Sequence, residues 1–364
     1  MHLVTDMKMQ NSTGKEINSQ LVYLDPFLVD RARLPVGLSL KELASSTHIG
    51  YRAVHGIVHR AGMLPNTAKK LAEKLKKNVL ELLAPWDPRY ITPAQEYGPL
   101  AGSAEWESIG YLEQGRLSPN NLYYIVCRVR HRHSPEKYGR GKFYHLSWLP
   151  SAQREEMRHK LSRHADVCAR IGSHAHIAVN HTSTPVTNGD GWWVIDEWVG
   201  EHTLADHLQT APWPSEKLPR LLYDVAQGLD ALHGAGTILR ELAPARVLIS
   251  DRDGRAVLTD FELAKLLGGG PSVSSEWPED PFRAPELDGG ECTVQSDFYS
   301  FGQLAGAAIA GPEFDPMTTG DWITKSKFPP RLKQMLLGSI EPIADRRKVT
   351  LSRLLPELKR WANG

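Results

Sequence analysis

The stretch LHGAGTILRELAPARVLISDRDGRAVLTDFELAKL, residues 232–266, decides the fold of the C-terminal part of this chain. Just before it, apolar residues recur with helical period over 218–234 and predict an amphipathic helix. Inside it, AVLTD at 256–260 predicts a short strand, and a second ordered motif, RAPELDGGECTVQSDFYSFG, follows at 283–302. Three further strands are predicted upstream, at LYYIVCRV (122–129), KFYHLSWL (142–149) and WWVIDEW (192–198). Strands followed by long helices predict an α+β unit.

These two motifs resemble the catalytic-loop and metal-loop region of eukaryotic-type protein kinases and the segment that closes their activation loop. The resemblance covers about residues 106–362 and implies a bilobal, α+β, protein kinase-like domain over 106–364. Its N-lobe is expected at about 106–198 and its C-lobe at about 199–362.

The residues at the matching catalytic positions differ from those of the family. Where the family's catalytic loop reads H-R-D-L-K-P-x-N, this chain reads LRELAPAR at 239–246. Glu241 therefore replaces the base aspartate, Ala243 the phosphate-contacting lysine, and Arg246 the metal-ligand asparagine. A guanidinium at this last position is expected to repel Mg²⁺, which requires oxygen ligands. The D-F-G motif of the metal loop becomes Asp260-Phe261-Glu262, which keeps one metal ligand and loses the glycine.

The nucleotide-binding positions have also changed. Ser147 falls at the family's strand lysine and His164 at its partner glutamate, while the loop EQGRLSP (113–119) keeps only one glycine for phosphate contact. Asp196, at the hinge, adds an anion that is expected to disfavour a nucleotide. The resemblance therefore predicts a pseudokinase that is not an enzyme, with no cofactor and no metal. The alternative is a divergent, active Ser/Thr kinase that uses Glu241, Asp260 and Lys142.

Residues that support the kinase scaffold are retained. Ala284-Pro285-Glu286 matches the family's A-P-E motif, and the resemblance implies that Glu286 pairs with a buried arginine, assigned here to Arg346. Asp297 matches the residue that caps the backbone of the catalytic loop, and Arg240 is kept within that loop.

The N-terminal region predicts five short helices, at about 26–34, from Leu40, and at 51–60, 66–75 and 78–83. The second begins with the capping box Ser39-x-x-Glu42. The stretch GLSLKELASSTHIGYRAVHGIVHR (37–60) resembles the Cro and lambda-repressor-like (XRE-type) helix-turn-helix family, which implies an all-α DNA-binding domain at 25–84. The DNA-contacting residues implied by this resemblance, with nearby phosphate contacts, are Tyr51, Arg52, His55, His59, Arg60 and Lys69.

Charge is distributed unevenly along the chain. Between residues 26 and 83, ten Lys and Arg face four Asp and Glu, although the whole chain has 43 against 42. A basic module favours a nucleic-acid partner. A packing or dimerisation module is the alternative interpretation.

Composition limits the remaining classes. The 364 residues contain three widely separated cysteines without CxxC spacing, and the polar opening lacks a signal-peptide core. No apolar run is long enough to span a bilayer, so no membrane partner is expected. We expect a disordered N-terminus at 1–24, a Pro-rich linker at 85–105 and a cytoplasmic location. A zinc site near His174, His176, His181 and Cys168 is the weaker alternative to ordinary packing.

Together these features predict a bacterial DNA-binding regulator. Its pseudokinase domain would serve as a protein-interaction or sensing module, with double-stranded DNA, a protein and a second copy of the chain as potential partners. The alternatives are a divergent Ser/Thr kinase tethered to DNA and a scaffold subunit of a nucleoprotein complex.

Overall fold

The structure is a computed structural model of the 364-residue chain. It describes residues 21–59, 61–77, 79–84, 87, 97–100, 103–117, 123–146, 151–186, 191–240, 242–262, 264–266, 281–289 and 291–363. The chain divides into two compact units. One comprises Met1–Arg158 and Thr184–Trp193, and the other comprises His159–Ser183 and Val194–Gly364.

Short helices open the first unit. The α-helices are α1 (Pro26–Arg33), α2 (Leu40–Ser46), α3 (Tyr51–His55) and α4 (Pro65–Lys74). Single 3₁₀ turns lie at Leu34–Val36, Gly56–His59 and Val79–Leu82. The predicted capping box is confirmed, since Ser39 Oγ accepts from the Glu42 N–H at 3.1 Å and Glu42 Oε2 accepts from the Ser39 N–H at 2.8 Å. The third helix is shorter than predicted, because the chain tightens to 3₁₀ geometry from Gly56, a poor residue for a helix interior.

These helices enclose a hydrophobic cluster of their own, which includes Leu43, Val54, Ile57 and Leu71. The segment before α1 joins it. Val22 pairs with Met63 through two backbone hydrogen bonds of 2.8 Å, and Leu24 bridges to Leu83. The expectation of disorder over 1–24 is therefore wrong for 22–24, whose buried apolar side chains are ordered by this packing. Residues 1–20 lie outside the described residues.

One sheet contains six strands in the order β1-β2-β3-β4-β6-β5. They are β1 (Tyr97–Pro99), β2 (Trp106–Leu117), β3 (Tyr123–His131), β4 (Ser134–His145), β5 (Asn180–Pro185) and β6 (Gly191–Glu197). From β1 to β4, neighbouring strands are antiparallel. Strand β1 lies inside the predicted linker at 85–105, and its proline is tolerated because an edge strand can lack a ladder donor.

Helices dominate the second unit. The first of them, α5 (Ser151–Ile171), begins in the first unit and belongs to the second from His159 onward. The others are α6 (Leu204–Leu208), α7 (Leu218–Gly234), α8 (Val294–Ala310), α9 (Thr319–Lys325), α10 (Pro330–Ser339) and α11 (Leu351–Asn363). Two small antiparallel pairs join β7 (Thr237–Ile238) to β10 (Lys265–Leu266) and β8 (Val247–Ile249) to β9 (Ala256–Leu258). Single 3₁₀ turns lie at Pro244–Arg246, Pro285–Gly289, Gly311–Glu313, Pro316–Thr318 and Ala344–Arg346.

Helix α7 packs at the centre of this unit's hydrophobic core. Its bounds match the predicted 218–234, and Leu222, Val225 and Leu229 on its apolar face are fully buried. Gly228 lets the helix approach β9 closely, because a Cβ built there would lie 2.7 Å from Leu258 Cδ1 and 2.9 Å from the His176 carbonyl oxygen. This packing positions β9, which leads directly into the candidate site.

The α+β class is therefore confirmed. The predicted strand at 142–149 differs, since β4 begins earlier, at Ser134, and ends at His145. The domain boundaries at 84 and 106 stay a prediction.

Candidate active site

The site is built around the three residues that follow β9: Thr259, Asp260 and Phe261. Asp260 adopts a left-handed backbone conformation with φ of 64°, which is uncommon for a residue with a side chain. Phe261 is fully buried, and Thr259 nearly so. The aspartate that matches the family's metal ligand is thus held between two anchored neighbours.

Both polar groups of the peptide bond between Asp260 and Phe261 are bound by side chains. Arg246 Nη1 donates to the Asp260 carbonyl oxygen at 2.6 Å. The Phe261 N–H donates to His164 Nδ1 at 3.1 Å, and the two rings stack with centroids 5.4 Å apart. Arg246 comes from the 3₁₀ turn before β8, and His164 comes from α5.

Asp196, on β6, is engaged by donors from three elements. Its carboxylate contacts His164 Nε2 at 2.8 Å, accepts from Asn180 Nδ2 at 2.9 Å and accepts from Thr259 Oγ1 at 3.1 Å. The sequence suggested an anion at this position that would disfavour a nucleotide. In the structure, Asp196 is 4% exposed and its carboxylate is hydrogen-bonded within this network, so its effect on a nucleotide stays a prediction.

Opposing influences act on the protonation of His164. Burial lowers its pKa, whereas the charges of Asp196 and Cys168 and the hydrogen bonds with both side chains raise it and together prevail. The Phe261 amide favours the neutral ring, because a proton on Nδ1 would face the N–H that donates to it. We assign the neutral ring with its proton on Nε2, since this form makes both hydrogen bonds.

Helix α5 also reaches the chain beyond Phe261. Arg163 Nη1 donates to the Ala264 carbonyl oxygen at 3.2 Å. Burial, and then the charge of Arg240, lower the pKa of Arg163. Adjacent residues of α5 therefore bind the chain on both sides of Glu262, which is itself buried.

Asp297, at the start of α8, binds the backbone of the 239–246 loop. Its carboxylate accepts from the Leu239 N–H at 2.9 Å and from the Arg240 N–H at 2.7 Å, and it contacts His233 Nε2 at 2.7 Å. Arg240 has a left-handed φ of 72°. A fully buried carboxylate with three donors fixes this loop, in line with the role that the resemblance implied.

Glu286 pairs with Arg347, and the expected pairing with Arg346 is wrong. Arg347 Nη1 lies 2.6 Å from Glu286 Oε1, and Nη2 lies 2.9 Å from Oε2. Arg346 ends the 3₁₀ turn Ala344–Arg346 on the exposed surface, whereas the next residue points inward and is 1% exposed. Burial acts to raise the pKa of Glu286, but hydrogen bonds from Arg347 and Ser296 lower it overall.

Of the predicted catalytic positions, the structure brings His164, Arg246 and Asp260 together. Ala243 lies just before the 3₁₀ turn that carries Arg246. Ser147 and Glu241 lie outside the described residues. Lys142 is on β4, with its ammonium 4.2 Å from the centre of the Tyr124 ring and 5.2 Å from that of Tyr144.

Sequence reasoning missed Arg347, Asn180 and Thr259. For Thr259 a weak signal existed, because it directly precedes Asp260. For Asn180 nothing local pointed to Asp196, which is 16 residues away in sequence.

The predicted DNA-contacting residues line one exposed side of α3 and the turn that follows. Tyr51 and Arg52 are exposed, and the rings of Tyr51, His55 and His59 follow one another at 5.3 Å and 5.0 Å. Lys69, on α4, lies 3.9 Å from Glu73. Arg60 lies outside the described residues.

Within the described part of the chain, no group of three or more His, Cys, Asp or Glu side chains is arranged to hold a metal ion. No described helix has the length and apolar character needed to cross a membrane.

Comparison with known proteins identifies related sequences. The model of the family described as "Protein kinase domain" matches residues 140–334. Serine/threonine-protein kinase pkn2 of Myxococcus xanthus is 35% identical over 134 residues, which is 34% of this chain and 16% of that protein. Receptor-interacting serine/threonine-protein kinase 3 of Rattus norvegicus is 28% identical over 226 residues, 59% of this chain and 43% of that protein. Serine/threonine-protein kinase PknK of Mycobacterium tuberculosis is 32% identical over 126 residues, 34% of this chain and 10% of that protein. The chain thus covers less than half of each relative.

These matches contradict the expectation that the chain is not an enzyme. The family match and the named Ser/Thr kinases point to a protein kinase. The expectation judged single positions in isolation, and the structure shows that two of them, His164 and Arg246, bind the segment that carries Asp260.

Proposed function

Because this chain belongs to the protein kinase domain family, we propose that it is a divergent serine/threonine protein kinase, which transfers a phosphoryl group from ATP to a protein hydroxyl. The observation that carries the proposal is the family match over residues 140–334, more than half of the chain. The similar proteins described above are named serine/threonine kinases, which supports the same class of acceptor.

The frame around the site supports this function. Phosphoryl transfer depends mainly on positioning and on neutralising charge, so a rigid loop and an anchored metal-ligand segment matter more than covalent chemistry. Asp297 fixes the backbone at Leu239 and Arg240. Arg246 and His164 fix the segment that carries Asp260.

The residues present fit one divalent cation better than two. The Asp260 carboxylate is an oxygen donor that could hold Mg²⁺, which would neutralise charge on the triphosphate oxygens when bound. Arg246 provides no ligand oxygen, and its guanidinium binds the Asp260 carbonyl. Its permanent positive charge lies next to Asp260, where it would attract an anionic substrate and, as expected from the sequence, repel a cation, which disfavours a second metal ion.

A radiolabelled phosphate-transfer assay with Mg²⁺ or Mn²⁺ tests the proposal. We expect transfer by the wild-type chain and its loss in Asp260→Asn, which removes the ligand charge while keeping a residue that tolerates a left-handed backbone. Asp253→Asn is the matched control, because it removes a carboxylate from the exposed turn between β8 and β9. Wild-type transfer no greater than that of Asp260→Asn would overturn the proposal.

We further propose that the region at 25–84 binds double-stranded DNA and so tethers the kinase domain at 106–364 to it. The supporting observation is the exposed side of α3, where Tyr51 and Arg52 point outward while Val54 is buried. The excess of ten basic over four acidic residues between 26 and 83 favours such a partner.

A mobility-shift assay at low salt tests DNA binding. We expect Arg52→Ala to weaken the shift about tenfold. Lys74→Ala, which removes one exposed charge from α4, should have a smaller effect. Equal losses in the two variants would indicate attraction by overall charge only, and absence of any wild-type shift would refute the proposal.

A further inference from the structure

The peptide bond between Asp260 and Phe261 is held at both of its polar groups by side chains that are distant in sequence. Arg246 binds its carbonyl oxygen at 2.6 Å, and His164 binds its N–H at 3.1 Å. Rotation of this peptide would break both hydrogen bonds at once. Backbone groups in such segments are usually bound by other backbone groups or by water, so two side chains on one peptide form a specific restraint.

The residue before this peptide is also restrained. Thr259 donates through Oγ1 to Asp196 Oδ2 at 3.1 Å, and its N–H donates to the Arg246 carbonyl oxygen at 3.1 Å. Arg246 thus binds the 259–261 segment through its backbone and through its guanidinium. Asp260, with φ of 64°, is held in its uncommon conformation from both sides.

Asp196 sets the orientation of the imidazole. Its Oδ1 lies 2.8 Å from His164 Nε2, which places the ring proton on Nε2 and leaves Nδ1 as an acceptor for the Phe261 N–H. The stacked Phe261 ring, at an interplanar angle of 18°, fills the face of the imidazole. Since His164 is completely buried, water does not compete for these contacts.

We propose that His164 and Arg246 are positioning residues that clamp the Asp260–Phe261 peptide, with Asp196 orienting His164. The clamp keeps the Asp260 carboxylate on one side of the segment before any nucleotide or metal binds. The effect of the clamp on catalysis rests on the kinase function proposed above. Its effect on the motion of the 259–261 segment does not depend on that function.

Hydrogen–deuterium exchange of the full chain, read by mass spectrometry over 256–266, tests the clamp. His164→Phe keeps an aromatic ring against Phe261 and removes the acceptor, while Arg246→Met keeps the apolar stem and removes the donor. We expect each change to speed exchange in this peptide by about tenfold. Thr319→Val is the control, because it removes a buried hydrogen bond to Gln303 in another part of the second unit.

Unchanged exchange over 256–266 in either folded variant would overturn the proposal, as would equal acceleration in Thr319→Val. If His164→Phe does not fold, Arg246→Met decides the question, because this side chain is at the margin of the core, 9% exposed.

The catalytic measurement separates this proposal from the kinase function. In an active preparation, we expect both variants to lower kcat and to raise the Mg²⁺ concentration for half-maximal rate, a shift that a purely structural defect would not cause. If the two substitutions speed exchange over 256–266 but the wild-type chain transfers no phosphate, the clamp is supported and the kinase function is refuted. If the wild-type chain transfers phosphate but the substitutions leave exchange over 256–266 unchanged, the kinase function is supported and the clamp is refuted.

Discussion

Glu286 and Arg347 form a bidentate ion pair inside the second unit, with nitrogen–oxygen distances of 2.6 Å and 2.9 Å. Arg347 also donates to the carbonyl oxygens of Gln295, Glu341 and Pro342, and its guanidinium lies 4.8 Å from the centre of the Tyr299 ring. The pair therefore joins the 3₁₀ turn Pro285–Gly289 to α8 and to the turn before α11.

Loss of Arg347 should destabilise the protein strongly. In Arg347→Ala, the Glu286 carboxylate loses its charged partner and three carbonyl groups lose a donor, so we expect a loss of about 3–5 kcal/mol in the free energy of unfolding. Arg346→Ala, at the neighbouring exposed position, should change it by no more than about 0.5 kcal/mol. Chemical denaturation measures both. The opposite ranking would show that the pairing is assigned to the wrong arginine.

The same pair predicts a pH dependence. The pKa of Glu286 is lowered in the folded chain from an ordinary value of 4.5, so its stabilising effect is fully present above about 4.5 and is lost as pH falls through the lower, folded value. We expect the difference in unfolding free energy between wild type and Glu286→Gln to shrink between about pH 6 and about pH 3. A difference that stays constant over this range would exclude ionisation of Glu286 as its cause.

Close packing of α7 against β9 predicts opposite effects for two glycines of one helix. Gly228→Ala should lower the free energy of unfolding by about 1–3 kcal/mol, because the new methyl group would meet Leu258 and the His176 carbonyl. Gly234→Ala should be neutral or stabilise by up to about 1 kcal/mol, since nothing lies within 4 Å of the added carbon. Thermal unfolding of the two variants makes the comparison, and a stabilising Gly228→Ala would contradict the packing described here.

Cys127 should be inert in the native protein. Burial raises the pKa of its thiol to about 12, although a hydrogen bond to Ser108 acts in the other direction. Because the thiolate is the reactive form, iodoacetamide at about pH 8 should modify Cys127 only after denaturation. Site-resolved mass spectrometry measures the modification, and rapid native labelling would refute the burial of β3 at this position.

Local patterns in the sequence predicted much of the fold. The apolar period of α7 and the Ser39–Glu42 capping box depend on residues a few positions apart, and both are present as predicted. The predicted partner of Glu286 was wrong by one position, because Arg346 and Arg347 have the same side chain and only the direction in which the backbone points each of them distinguishes the two.

The candidate site was less accessible to sequence reasoning. The resemblance assigned His164 and Arg246 to changed family positions, and that assignment stays a prediction; their contacts with Phe261 and Asp260 join residues 97 and 14 apart in sequence. The sequence alone does not show these partners, so His164 and Arg246 were interpreted as the loss of a catalytic group. Hydrogen bonds over such separations follow from the packing of α5 against the chain after β9, which no periodicity encodes.

Asp196 shows what a shared acceptor means for tolerance to mutation. Its three donors come from α5, from β5 and from Thr259, which directly follows β9, so one substitution would remove a contact that joins three separate stretches of chain. In a saturation-mutagenesis library selected for folding, we expect this polar position to be as depleted of variants as the apolar positions around it, with even asparagine under-represented.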